Sequence, residues 1–101
     1  MIEFERCGDD LTVRVAGELD HANAGRFSDA ISLRAGTCKG VLWIDASKVT
    51  FCGSVGIALL LRADAEATER GGRMVLLRPS SAVERVLSSL NLWDALRVQP
   101  S

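Results

Sequence analysis

The feature that most constrains the fold is an uninterrupted apolar run at residues 41–44 (VLWI), near the middle of the chain. A run without alternation is typical of a strand that is covered on both faces, or nearly so. Asp45 ends the run, and residues 46–53 are predicted to form a loop. The chain is therefore expected to build its layers around a central strand.

Two segments before this run alternate apolar and polar residues, which is the period of a half-buried strand. They cover residues 2–5 and 11–15. Residues 8–10 (GDD) lie between them and predict a hairpin turn. Gly17 is expected to close the second strand. The chain should therefore open with an antiparallel hairpin.

Helical periodicity predicts a first helix from Asp20, whose carboxylate can cap free amide groups, to about Arg34, with Gly36 as its stop. A second helix is predicted over residues 54–70. It ends at a pair of glycines, which supply the left-handed conformation common after a helix.

A third helix is predicted from residues 81–84 (SAVE), which have the form of a capping box, to Leu90. Short strands are predicted at residues 74–77 and 95–98. The resulting order is β-β-α-β-α-β-α-β, which predicts an α/β fold with a mixed, mostly parallel sheet and about three helices packed against it. A length of 101 residues fits one domain spanning residues 1–101.

Composition excludes several classes of function. Twelve basic and thirteen acidic residues give a net charge of −1, which argues against a nucleic-acid binder. No apolar run approaches the roughly 18 residues of a membrane span. The acidic N-terminus is unlike a secretory signal, so a cytoplasmic protein is expected. One histidine and three cysteines, with spacings that match no metal or redox motif, predict no metal, no cofactor and no enzymatic activity.

Two predicted helix starts, at Asp20 and Ser54, would lie at the carboxyl ends of strands, where ligands and partners of such sheets tend to bind. A helix start leaves amide groups free and carries partial positive charge. The Ser54 hydroxyl therefore has two interpretations: it caps the helix, or it carries a phosphate. From the local sequence, Asp20 is predicted to cap a helix and His21 to lie at the surface. Gly56 is predicted to allow close packing of the backbone.

Several segments together resemble bacterial anti-sigma factor antagonists with the STAS fold. Residues 17–21 (GELDH) resemble the family signature GELD(H). Residues 43–51 (WIDASKVTF) resemble its hydrophobic-D-L-S-x-V-x-F segment, and residues 52–57 (CGSVGI) align with its (I/M)-D-S-S-G-L segment. Residues 71–74 (GGRM) and 91–94 (NLWD) resemble two further turns. The resemblance covers almost the whole chain and keeps the predicted order of elements.

The resemblance implies a non-enzymatic module that binds an anti-sigma factor with serine kinase activity and thereby releases a sigma factor. It implies that the kinase phosphorylates Ser54 and so breaks the complex. A monomer or weak dimer without membrane insertion is expected. The residues expected to contact the partner surround both helix starts: Asp20, His21, Asn23, Gly53, Ser54, Val55 and Gly56.

Two positions depart from the family pattern, because Gly53 replaces its aspartate and Val55 replaces its second serine. Both changes leave open whether Ser54 is phosphorylated or the contact is constitutive. The alternative function is that of an accessory STAS subunit that binds the ATPase of an ABC-type lipid transporter. Residues 56–61 (GIALLL) resemble that group.

Overall fold

A computed structural model describes residues 1–36 and 38–100. Within these residues it contains five strands and three helices in the predicted order. Their bounds are β1 Ile2–Cys7, β2 Asp10–Leu19, α1 Ala24–Ala35, β3 Val41–Cys52, α2 Ser54–Glu69, β4 Arg73–Leu77, α3 Ser81–Ser89 and β5 Val98–Gln99.

The strands form one sheet in the order β1-β2-β3-β4-β5. The β1–β2 pair is antiparallel, and the other three pairs are parallel. Every helical crossover steps in the same direction along the sheet, and such crossovers are almost always right-handed. The three helices therefore share one face of the sheet, with α2 between α1 and α3. The predicted mixed, mostly parallel sheet is confirmed.

The core lies between this face and the helices. The register places Val13, Ile44 and Leu76 side by side on neighbouring strands, and all three are fully buried. Leu60 of α2 and Leu87 of α3 are buried with them. The apolar pattern predicts these strands correctly, because burial of one side of each strand fixes its register.

The predicted ends of β2 and β3 were wrong. β2 continues past Gly17 to Leu19, and the predicted loop at residues 46–53 is mostly strand, because β3 continues to Cys52. The register between the two strands shifts twice along this stretch, and Gly17 has a φ of 93°. Such bulges break the alternation of side chains, so the period-two pattern that marks a strand is lost while the pairing continues.

Two predicted helix caps were also displaced. α1 begins at Ala24 with Asn23 at its N-cap position, rather than at Asp20. α3 is capped by the Ser80 hydroxyl, which accepts a hydrogen bond from the Val83 amide at 3.4 Å. The predicted capping box was therefore one residue out of register. Local patterns locate helix ends only approximately, since neighbouring serines or acids can each serve as a cap.

Smaller differences concern the turns and the last strand. The hairpin turn consists of residues 8–9, because Asp10 already belongs to β2. The fifth strand is Val98–Gln99 rather than residues 95–98. The predicted end of α1 is confirmed, since Gly36 is its C-cap residue.

The Asp10 carboxylate locks the starts of β2 and β3 together. It accepts hydrogen bonds from the Val41 amide at 2.8 Å and from the Trp43 indole at 3.3 Å. These bonds favour the charged form and hold the pKa of Asp10 below its ordinary value of 3.8. A Cβ atom at position 40 would overlap this carboxylate, so Gly40 is required for the lock.

Asp45 is the buried carboxylate of β3, and it ties that strand to the segment after β4. Arg78 donates to it at 2.6 Å, and the Ser47 amide donates at 3.0 Å. Burial alone would raise the pKa of Asp45, but these hydrogen bonds outweigh burial and lower it. Asp45 is thus an ionised group held inside the fold by its partners.

Acid should destabilise the protein through these two carboxylates. Each has a lower pKa in the folded chain, so its contribution is present above the ordinary value of 3.8 and is lost as the pH falls through the folded pKa. We expect Asp10→Asn and Asp45→Asn each to lower stability at neutral pH and to flatten its decline between pH 5 and 2. Urea unfolding across this range measures both effects. Unchanged acid sensitivity in both variants would contradict the assignment.

Candidate functional site

The carboxyl ends of β2 and β3 bring the two segments singled out from the sequence into contact. Leu19 pairs with Cys52 at the last position of the register. The Gly53 amide then donates to the Leu19 carbonyl at 3.1 Å. Two helix starts that are far apart in sequence therefore lie at one edge of the sheet. We call this surface the helix-start site, and it comprises Asp20, His21, Asn23, Gly53, Ser54 and Val55. Gly56, which was also predicted to contact a partner, is buried beneath this surface.

Side-chain hydrogen bonds fix the loop between β2 and α1. The Asn23 side chain donates from Nδ2 to the Glu18 carbonyl at 2.6 Å, and its Oδ1 accepts from the Asp20 backbone amide at 3.1 Å. The Asp20 carboxylate accepts from the Ala22 amide at 3.0 Å. Asp20 and Asn23 thus hold the loop in shape, whereas His21 is exposed at its surface.

Gly53, and not Ser54, occupies the N-cap position of α2. Its carbonyl accepts from the Gly56 amide at 3.0 Å and from the Ile57 amide at 3.4 Å. Ser54 is the first helical residue and is exposed. Among the described residues, its hydroxyl has no hydrogen-bond partner, and neither do the backbone amides of Ser54 and Val55. The capping interpretation of Ser54 is therefore wrong.

Gly56 lets the first turn of α2 lie directly against the strand ends. A Cβ atom at this position would be 2.9 Å from the Leu19 Cβ and 2.9 Å from the Cys52 Sγ. Both distances are too short for any side chain to be added without movement. Cys52 is buried, and burial raises the pKa of its thiol. The thiol is thus a packing group beneath the helix start.

Apolar surface surrounds the exposed hydroxyl. Phe51 is 52% exposed, and its ring lies 3.7 Å from the point where a side chain at Gly53 would begin. On the other side, a shallow groove of about 210 Å³ runs between α1 and α2, lined mainly by small and apolar residues together with Ser28 and Arg62. Sequence reasoning missed this surface, because the exposure of Phe51 depends on how β3 ends.

The chemistry available at this site is that of one accessible hydroxyl at the positive end of a helix. No group of His, Cys, Asp or Glu in the described part of the chain is arranged to hold a metal ion. In the same residues, no helix is both long enough and apolar enough to cross a bilayer.

The chain belongs to the STAS-domain family. The family model described as "Mlab, STAS domain" matches residues 2–98, which is nearly the full length. The resemblance inferred from the sequence motifs is thereby confirmed at the level of the family.

Solved structures show the same fold. An anti-sigma factor antagonist from Mycobacterium paratuberculosis is 25% identical with a TM-score of 0.88, and the match covers 100% of this chain and 86% of that one. The antagonist SpoIIAA in its unphosphorylated form is 24% identical, with a TM-score of 0.81 and coverage of 98% and 88%. The Bacillus cell fate determinant SpoIIAA in the phosphorylated form is 22% identical, with a TM-score of 0.74 and coverage of 98% and 91%.

The two glycines of the site should respond oppositely to substitution. Gly56→Ala forces a contact at 2.9 Å with Leu19 and Cys52, and such overpacking costs about 1–3 kcal/mol, part of which the helix propensity of alanine offsets. Gly53→Ser meets nothing closer than 3.7 Å and supplies a good N-cap, so it should stabilise by a few tenths of a kcal/mol. Urea unfolding compares the two. Equal stability of both variants would mean that close packing at Gly56 does not hold the site.

Proposed function

We propose that this chain is an anti-sigma factor antagonist whose helix-start site binds an anti-sigma factor with serine kinase activity. Ser54 accepts the phosphate that ends the interaction. The observation that carries the proposal is that Ser54 is exposed at the first position of α2 and makes no hydrogen bond within the described residues. The names of the similar structures support it, since they include antagonists and one protein in both phosphorylation states.

The unmodified site offers the partner apolar contacts beside the hydroxyl. Phe51 and Val55 flank the hydroxyl, and the α1–α2 groove continues the surface. Removing such surface from water on binding is favourable. Asp20 and Asn23 present a preformed loop at the edge of the contact, so little order has to be gained on binding.

Phosphorylation changes the charge at the centre of this contact. The Ser54 oxygen attacks the γ-phosphorus of ATP held by the kinase, the bond from that phosphorus to the β–γ bridging oxygen breaks, and ADP leaves. The hydroxyl proton passes to a base of the kinase or to water. About −1.5 to −2 charges are added at neutral pH. In a closed interface this charge is desolvated, so the complex weakens.

The module itself can accommodate the phosphate. The amides of Ser54 and Val55 are free donors within the described chain, and the start of the helix carries partial positive charge. The first turn of α2 contains no acidic residue to repel an added anion. Phosphorylation should therefore weaken partner binding while leaving the fold of the antagonist intact.

A second candidate function is a constitutive one, as the accessory subunit that binds the ATPase of an ABC-type lipid transporter. It is favoured by Gly53 and Val55, which replace two polar positions of the antagonist pattern and leave the surface beside Ser54 apolar. Such a surface needs no release mechanism. Binding to the ATPase, with no binding to the kinase, would favour this function.

Intact-mass spectrometry tests the phosphate acceptor. After incubation with ATP and the anti-sigma kinase of the same organism, we expect the wild type to gain one phosphate and Ser54→Ala to gain none. The matched control is Ser81→Ala, because Ser81 is likewise the exposed first residue of a helix, α3. It should be phosphorylated like the wild type. Loss of the phosphate in the control alone would contradict the assignment.

Gly53→Asp tests whether the kinase needs a carboxylate beside the Ser54 hydroxyl. The backbone at Gly53 is extended, with φ −87°, and a side chain there meets only ordinary contacts. Aspartate therefore fits and restores the carboxylate of the family pattern. We expect faster phosphorylation of this variant with unchanged folding. An unchanged rate would show that the carboxylate is not needed beside this acceptor.

A further inference from the structure

A basic cleft lies at the opposite end of the sheet from the helix-start site. Lys39, Arg73 and Arg97 line it, and its volume is about 340 Å³. No acidic residue lines it. Lys39 precedes β3 and Arg73 begins β4, so the cleft is at the amino ends of the parallel strands. None of the sequence motifs singled out this group, because its members are far apart in the chain.

The three cations have no partners that would explain their convergence. All are exposed, and within the described residues none forms a salt bridge or a side-chain hydrogen bond. The closest charge effect is that of Arg73 on Asp10, whose two oxygens already accept hydrogen bonds. In a chain with a net charge of −1, three basic side chains thus meet at one place, where the already hydrogen-bonded Asp10 carboxylate is the counter-charge that acts on Arg73.

Four of the backbone amides that line this cleft are already occupied. The amides of Gly40 and Val41 donate to Asp9 and Asp10, and those of Gly71 and Gly72 donate to carbonyls at the end of α2. The negative end of the α2 dipole also points to this end of the sheet and opposes an anion. Two guanidinium groups and one ammonium group are therefore the main source of attraction for an anion.

From this convergence we propose that the cleft binds a phosphate group of a small ligand or of a lipid headgroup. A phosphate has several acceptor oxygens. A planar guanidinium pairs with two of them at once, and lysine adds a compact positive charge. Of the glycines that line the cleft, Gly71 has open space where a side chain would begin, so a ligand can approach its backbone there. The cleft is independent of Ser54, so its occupancy does not rest on the proposed function.

Calorimetric titration with inorganic diphosphate at low ionic strength tests the site. We expect binding that weakens with added salt and falls about tenfold in Arg73→Gln and again in Arg97→Gln, as loss of a charge-assisted hydrogen bond predicts. The matched control is Arg85→Gln, which removes an exposed cation on α3 and should keep wild-type affinity. Circular dichroism verifies that each variant is folded.

Vesicle flotation distinguishes the two sources of phosphate. Binding to phosphatidylglycerol vesicles, but not to phosphatidylcholine vesicles, with loss in Arg73→Gln and Arg97→Gln would assign the cleft to a lipid headgroup. Diphosphate binding that depends on the same residues, without vesicle binding, would assign it to a small ligand. The proposal is overturned if neither probe binds, or if binding is the same in the cleft variants as in Arg85→Gln.

Discussion

The parallel pairing of β2 with β3 is the interaction on which the rest of the structure depends. It runs from Leu11 beside Leu42 to Leu19 beside Cys52, almost the full length of both strands. At one end Asp10 fixes the register by bonding the first residues of β3. At the other end the pairing sets two helix starts next to each other. The core and the candidate site are therefore consequences of one register.

The site owes its chemistry to a division of tasks between neighbouring residues. Gly53 receives the hydrogen bonds of an N-cap through its carbonyl, and Gly56 makes the close contact that seats the helix. Asn23 holds the facing loop. Ser54 therefore does not cap the helix, and its hydroxyl makes no hydrogen bond among the described residues and lies at the surface. The same packing that stabilises the fold thus leaves one group available for a partner.

The sequence predicts most of the fold, because burial of one face of each strand requires apolar residues at regular positions, such as Val13 and Ile44. It fails where the backbone departs from that period: the bulges near Gly17 conceal the second half of β3. It predicts that the two helix starts lie at the carboxyl ends of strands but not which residue caps α2, since adjacent small residues compete for that position. The basic cleft could not be predicted from the sequence, because the sheet topology is what brings Arg73 and Arg97 together.

We propose that Ser54 lies inside the contact with the anti-sigma factor, where a negative charge cannot be tolerated. The most direct measurement is the dissociation constant of that complex for wild type, Ser54→Glu and, as a matched control, Ser81→Glu. We expect Ser54→Glu to weaken binding by about a hundredfold or more, as burial of an unpaired charge requires, while Ser81→Glu binds like the wild type. Equal affinity of all three proteins would show that the contact lies elsewhere on the chain.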